Sequence, residues 1–114
     1  MLQRLGRYEV LETLAGGGQG TGDGELDSAG GVAAASDGSV YVSDWFNHRI
    51  QKFTSEGVFV SEWGTFVGSG DGEFYYPQSV AVASDGSVYV ADAYNHRIQK
   101  FTSEGVFVLS LIHI

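Results

Sequence analysis

Along residues 79–108 apolar and polar side chains alternate in short runs divided by turn residues. Ser79-Val80-Ala81-Val82-Ala83 is followed by Asp85-Gly86, then by Ser87-Val88-Tyr89-Val90-Ala91-Asp92. A short connection, Ala93-Tyr94-Asn95, leads to a run from His96 to Phe101, and Ser103-Glu104-Gly105 turns the chain into Val106-Phe107-Val108. β-Branched and aromatic residues dominate the runs, and no segment sustains a helical period. The pattern therefore predicts four strands (a, b, c and d) and no helix. Asp85-Gly86 predicts a two-residue type I′ hairpin turn between strands a and b. In Val88-Tyr89-Val90 and Val106-Phe107-Val108 both faces of the strand are apolar, so the sheet must be covered on both faces.

The same pattern recurs. Asn47-His48-Arg49-Ile50-Gln51-Lys52-Phe53 returns from Asn95 to Phe101, a period of 48 residues. Ala35–Val60 aligns without gaps to Ala83–Val108, and only three of these 26 positions differ: Ser43/Ala91, Trp45/Ala93 and Phe46/Tyr94. Gly20-Thr21-Gly22-Asp23-Gly24-Glu25-Leu26 matches Gly68-Ser69-Gly70-Asp71-Gly72-Glu73-Phe74 in the same register. One period earlier Leu2-Gln3-Arg4-Leu5 falls opposite Ile50-Gln51-Lys52-Phe53. The expected organisation is the close of a degraded repeat over residues 1–16, one full repeat over 17–64 and a second over 65–108. A unit of four strands, apolar on both faces, is satisfied by stacking between like units. The expected fold is all-β, an open arc of four-stranded antiparallel blades forming part of a β-propeller.

Composition agrees. There are 17 Gly and a single Pro, Pro77, which suits a chain rich in tight turns. With no Cys, disulfides and Cys-based zinc sites are excluded. Acids outnumber bases 14 to 6, so the segment is expected to bind neither nucleic acid nor an anionic membrane surface.

Val80-Ala81-Val82-Ala83-Ser84-Asp85-Gly86-Ser87-Val88-Tyr89-Val90-Ala91-Asp92-Ala93-Tyr94-Asn95-His96-Arg97-Ile98, with its other copy over residues 32–50, resembles the NHL repeat. Ser36 and Ser84 stand where that family often has Asp. The resemblance implies a propeller, commonly of six blades. It also implies that the b–c and d–a connections share one rim. The last six residues, 109–114, break the repeat abruptly after Val108 and look like the translated end of a sequencing adapter. They are expected not to be native.

Several residues invite chemistry. Asp44, Asn47, His48 and Arg49 recur as Asp92, Asn95, His96 and Arg97. A catalytic group occurs once per site, whereas these return in every period, and Asp and Asn cap turns by bonding nearby backbone. They are assigned to a structural network closing the b–c connection. The Gly-rich stretch from Gly16 to Gly24 has neither a Gly-Lys-Ser/Thr sequence nor a following helix, so no phosphate site is expected. Asp23, Glu25 and Asp27 fail the EF-hand pattern, with Ser28 and Ala34 at its sixth and twelfth positions, and no metal or cofactor is expected.

The variable aromatics carry the functional reading. Trp45-Phe46 in one copy is Ala93-Tyr94 in the other, and the d–a connection adds Phe74-Tyr75-Tyr76. Loop aromatics on a rigid scaffold are candidate contacts, against the competing reading that they pack on the next blade. Trp45, Phe46, Tyr75, Tyr76 and Tyr94 are thus the candidate binding residues. The segment is expected to be a non-enzymatic scaffold for a protein, peptide or glycan, with the neighbouring blades as its intramolecular partners. The alternative is part of a metal-dependent lyase or lactonase propeller whose catalytic residues lie in blades outside this chain.

Overall fold

The computed structural model describes residues 22–64 and 67–112. The expected repeat close over 1–16, the start of the Gly-rich stretch and residues 113–114 lie outside them. Among the described residues eight strands run in chain order: β1 (Ala29–Ala34), β2 (Val40–Asp44), β3 (Arg49–Phe53), β4 (Phe59–Trp63), β5 (Ser79–Val82), β6 (Val88–Asp92), β7 (Arg97–Phe101) and β8 (Phe107–Ile112). They form two antiparallel four-stranded meanders, β1-β2-β3-β4 and β5-β6-β7-β8. One 3-10 turn links strands b and c in each blade, Trp45–Asn47 and Ala93–Asn95. The all-β arc of blades expected from the alternation is what the chain forms.

Registers repeat as well. Tyr41 pairs with Lys52 as Tyr89 pairs with Lys100, and Ile50 pairs with Trp63 as Ile98 pairs with Leu111. Residues 109–112 thus occupy the place of strand d, paired along β7, although their sequence has left the repeat. The blades stack through one apolar layer. Tyr41, Ile50, Ala33 and Trp63 of the first face Phe74, Val80, Val88, Val90, Phe101 and Phe107 of the second. Trp63 lies 5.5 Å from Phe101 and 6.2 Å from Tyr41, ring centre to ring centre. Polar groups fasten the same interface, since the Tyr41 hydroxyl and the Lys52 ammonium both donate to the Ser103 carbonyl, at 2.9 and 3.1 Å.

The a–b turn differs from expectation. Gly86 N–H donates to the Ala83 carbonyl, and Ala83 N–H donates to the Ser87 carbonyl. The loop therefore has three residues, and of these only Gly86 has positive φ, at 90°. A type I′ turn needs positive φ at both central positions. The reason lies in Asp85, whose Oδ1 accepts the Ser87 N–H at 2.9 Å and forms a local side-chain turn. Asp37 does the same with Ser39 at 2.8 Å. These backbone bonds hold both carboxyls below their ordinary pKa.

Candidate functional site

The recurrent polar residues form one network per blade, centred on a buried carboxylate at the end of strand b. Asp44 Oδ1 accepts the Asp27 N–H at 2.7 Å, while Oδ2 accepts from Asn47 Nδ2 at 3.0 Å, Arg49 Nε at 2.7 Å and Gln51 Nε2 at 3.3 Å. Arg49 then donates to the carbonyls of Gly22 and Glu25 and to Glu62 Oε1. The network clamps the d–a connection onto strands b and c, two segments far apart in sequence. Asp92 repeats it with Tyr75 N–H, Asn95, Arg97 and Gln99. Gln51 and Gln99, which the sequence reading did not single out, are fully buried members. Their recurrence one period apart, on the same strand face as Arg49 and Arg97, was the available signal.

One acid of each Gly-rich connection is engaged by local backbone. Glu25 Oε1 accepts the Gly22 N–H and Glu73 Oε1 the Gly70 N–H, both at 2.8 Å. Among the described residues no group of three His, Cys, Asp or Glu side chains converges as metal ligands would.

The network has a consequence at the surface. By fastening residues 27 and 75 to the b-strand ends, it brings the d–a connection beside the b–c turns. Phe46 N–H donates to the Asp27 carbonyl, and Trp45 N–H to that of Ser28. All five candidate aromatics meet there. Ring centres lie 4.6 Å apart for Trp45 and Phe46, 4.8 Å for Trp45 and Tyr76, 5.3 Å for Tyr75 and Tyr76, and 5.0 Å for Tyr76 and Tyr94. The cluster crosses the blade boundary, with Trp45 and Phe46 from the first blade and Tyr94 from the second. Its outer rings are open to solvent: Phe46 is 46% exposed, Tyr75 40% and Tyr94 52%. Trp45 and Tyr76 are half-buried beneath them. The cluster thus has a half-buried inner pair, Trp45 and Tyr76, and an outer trio that faces water.

Beside Trp45 a shallow open recess of about 310 Å³ is lined by Ser28, Ala29, Gly30, Trp45 and Gln78. Gly30 lies so close to the next blade that a Cβ there would meet the Gln78 carbonyl at 2.8 Å. The recess therefore sits where the a-strands of the two blades adjoin. The Trp45 indole N–H is buried beside it with no hydrogen-bond partner among the described residues.

His48 and His96 occupy equivalent places. Each closes its 3-10 turn in the left-handed region, with φ of 52° and 55°, rather than opening strand c as the pattern suggested. His48 Nδ1 accepts the backbone N–H of Tyr76 at 3.0 Å.

Comparison with known proteins agrees with this architecture. The family model for the NHL repeat matches residues 26–53 and 74–101. No curated protein sequence matches the chain significantly. Similar solved structures include a luciferin-regenerating enzyme, at 18% identity and a TM-score of 0.57, covering 77% of this chain and 31% of that one. Another is a gluconolactonase from Xanthomonas campestris, at 24% identity and a TM-score of 0.55, covering 77% of this chain and 28% of that one. The chain thus spans less than a third of the structures it resembles, and at these identities the likeness concerns the fold.

Proposed function

Because the chain belongs to the NHL-repeat propeller family, we propose that it supplies two adjacent blades whose b–c/d–a rim is a recognition surface for a protein, peptide or glycan. The observation that carries this reading is the aromatic cluster across the blade boundary, with Phe46, Tyr75 and Tyr94 open to solvent. Tyr, Trp and Phe offer large contact area with few rotatable bonds, which lowers the entropy lost on binding. The polar network beneath holds the rings in place before any ligand arrives, and preorganisation favours affinity. Repeat equivalence adds a second support. Residues 35–60 and 83–108 are nearly identical, and two of their three differences fall side by side at positions 45/93 and 46/94, in the 3-10 turns outside the strands.

The test presents a displayed random-peptide library and a glycan array to the wild-type chain and to the Phe46→Ala/Tyr94→Ala variant. Selective retention by the wild type, lost in a variant with an unchanged melt, is expected. Equal retention by both would remove the rim from the binding surface.

An enzyme propeller is the second reading. It draws on the two similar structures, whose descriptions name a luciferin-regenerating enzyme and a gluconolactonase. In that reading catalytic groups would come from further blades. Chelator-sensitive hydrolysis of a sugar lactone by this protein would favour it over recognition.

A further inference from the structure

The His48–Tyr76 hydrogen bond joins the b–c turn of one blade to the d–a connection of the next, 28 residues further along the chain. Its donor is a backbone N–H, which has no other role to play. Nδ1 must therefore carry a lone pair, and the imidazole must be either the neutral Nε2–H tautomer or, after protonation, unable to make this bond. Tyr76 is held in an unfavourable backbone conformation, with φ of 55° on a bulky non-Gly residue. Its ring packs against His48 at 4.4 Å, Trp45 at 4.8 Å, Tyr75 at 5.3 Å and Tyr94 at 5.0 Å. Every other member of the aromatic rim except Phe46 thus touches it within that range, and Phe46 does so at 5.9 Å.

We propose that His48 is a positioning residue for this rim, a proton-sensitive latch that fixes Tyr76 across the blade boundary when neutral and releases it when protonated. On protonation Nδ1 becomes a donor facing the Tyr76 N–H, so an attraction turns into a repulsion between two donors. Tyr75 and Gln78 stay fastened on either side by the Asp92 carboxylate and the Ala91 carbonyl, but the strained Tyr76 loses the bond that ties it to the first blade, and the rings resting on it lose a fixed central member.

The surroundings favour the latched form at neutral pH. Burial pushes the His48 pKa below its ordinary value, and the Asp92 carboxylate opposes that shift in part. Asp92 is the charged group facing it from the second blade, and its oxygens are already shared among Tyr75 N–H, Asn95, Arg97 and Gln99. On its own blade Asp44 and Arg49 are paired with each other at 2.7 Å. Tyr75 and Tyr76 are the titratable rings packed against it among the described residues. The sign follows. A histidine whose native pKa is depressed contributes stability that is present above its ordinary value, near 6.5, and is lost as pH falls through the lowered native value. The latch is therefore closed at neutral pH and opens in mild acid.

The consequence for binding rests on the recognition reading above, whereas the readouts below need no partner, so failure of either is told apart. The experiment follows the fluorescence of Trp45 in the full chain carrying Trp63→Phe, from pH 8 to pH 4.5, for His48, His48→Asn and His96→Asn. Asn presents Oδ1 where His presents Nδ1, tolerates the left-handed backbone and does not titrate. Expected is a single transition with its midpoint below about 6.5. It should be unchanged in His96→Asn and absent in His48→Asn, which should keep the neutral-pH spectrum throughout. A His48→Ala chain should show the acid spectrum at every pH. A transition that persists in His48→Asn, or a wild-type spectrum flat across this range, would overturn the latch.

Discussion

Arg49 donates from Nη1 to Glu62 Oε1 at 2.7 Å, and the second blade lacks this pair because position 110 is Ser. The Ser110 hydroxyl is buried with no hydrogen-bond partner among the described residues, and Arg97 turns its Nη1 to the Ser69 carbonyl instead. Ser110→Glu should restore the carboxylate and remove the orphaned hydroxyl. A gain of about 1 kcal/mol is expected for a partly exposed ion pair of this geometry, read as a rise of a few degrees in melting temperature. No gain would mean that β8 does not hold the register seen here.

The buried carboxylate of Asp44 sustains the first network. Asp44→Ala takes a carboxylate partner from the buried Arg49 and removes the Oδ1 that accepts the Asp27 N–H. Removing one partner of a buried pair costs roughly 3–5 kcal/mol. Chemical denaturation of the variant should show that loss, with the 22–27 connection released to proteolysis before the strands unfold.

Two glycines separate backbone strain from crowding. Gly64 and Gly72 have φ of 77° and 81°, but a Cβ on Gly64 would lie 2.2 Å from the Phe74 ring, while one on Gly72 meets nothing within 4 Å. Gly72→Ala should cost about 1–2 kcal/mol for the left-handed backbone alone. Gly64→Ala should cost about 1–3 kcal/mol more, the usual range for overpacking a filled site. Equal costs in denaturant titrations would show that Phe74 does not wedge under the d–a connection.

The outward face of the second blade repeats the face by which the first grips it. Ile98 and Leu111, equivalent to the packed Ile50 and Trp63, are 43% and 55% exposed. Contiguous apolar surface of this kind promotes association. The chain alone should self-associate in sedimentation velocity, and Ile98→Glu/Leu111→Glu should shift it towards monomer. A wild-type chain that stays monomeric at high concentration would contradict this.

The 48-residue period made the blades legible, because the side chains that face each other across strands return in step. Turn detail was less so. Asp85-Gly86 reads as a two-residue turn until Asp85 is seen to bind the Ser87 N–H, a side-chain choice that the dipeptide does not reveal. The aromatic rim could be proposed from the differences at 45/93 and 46/94, yet its division into inner and outer rings depends on how the d–a connection folds back. The His48–Tyr76 bond was invisible for the same reason. It joins a recurrent residue to a loop position whose backbone conformation no propensity requires.

The recognition reading is tested most directly at Trp45, the half-buried ring beneath Phe46 and beside the recess. Trp45→Ala should be melted and, in parallel, assayed for binding to the peptides or glycans that the wild-type chain retains. Expected is a cooperative melt, with a loss well short of the roughly 3–5 kcal/mol of an emptied aromatic core site. Binding should be weaker by roughly 1–3 kcal/mol. A collapse in stability with unchanged affinity among the molecules still folded would contradict it, and would make Trp45 part of the packing between blades.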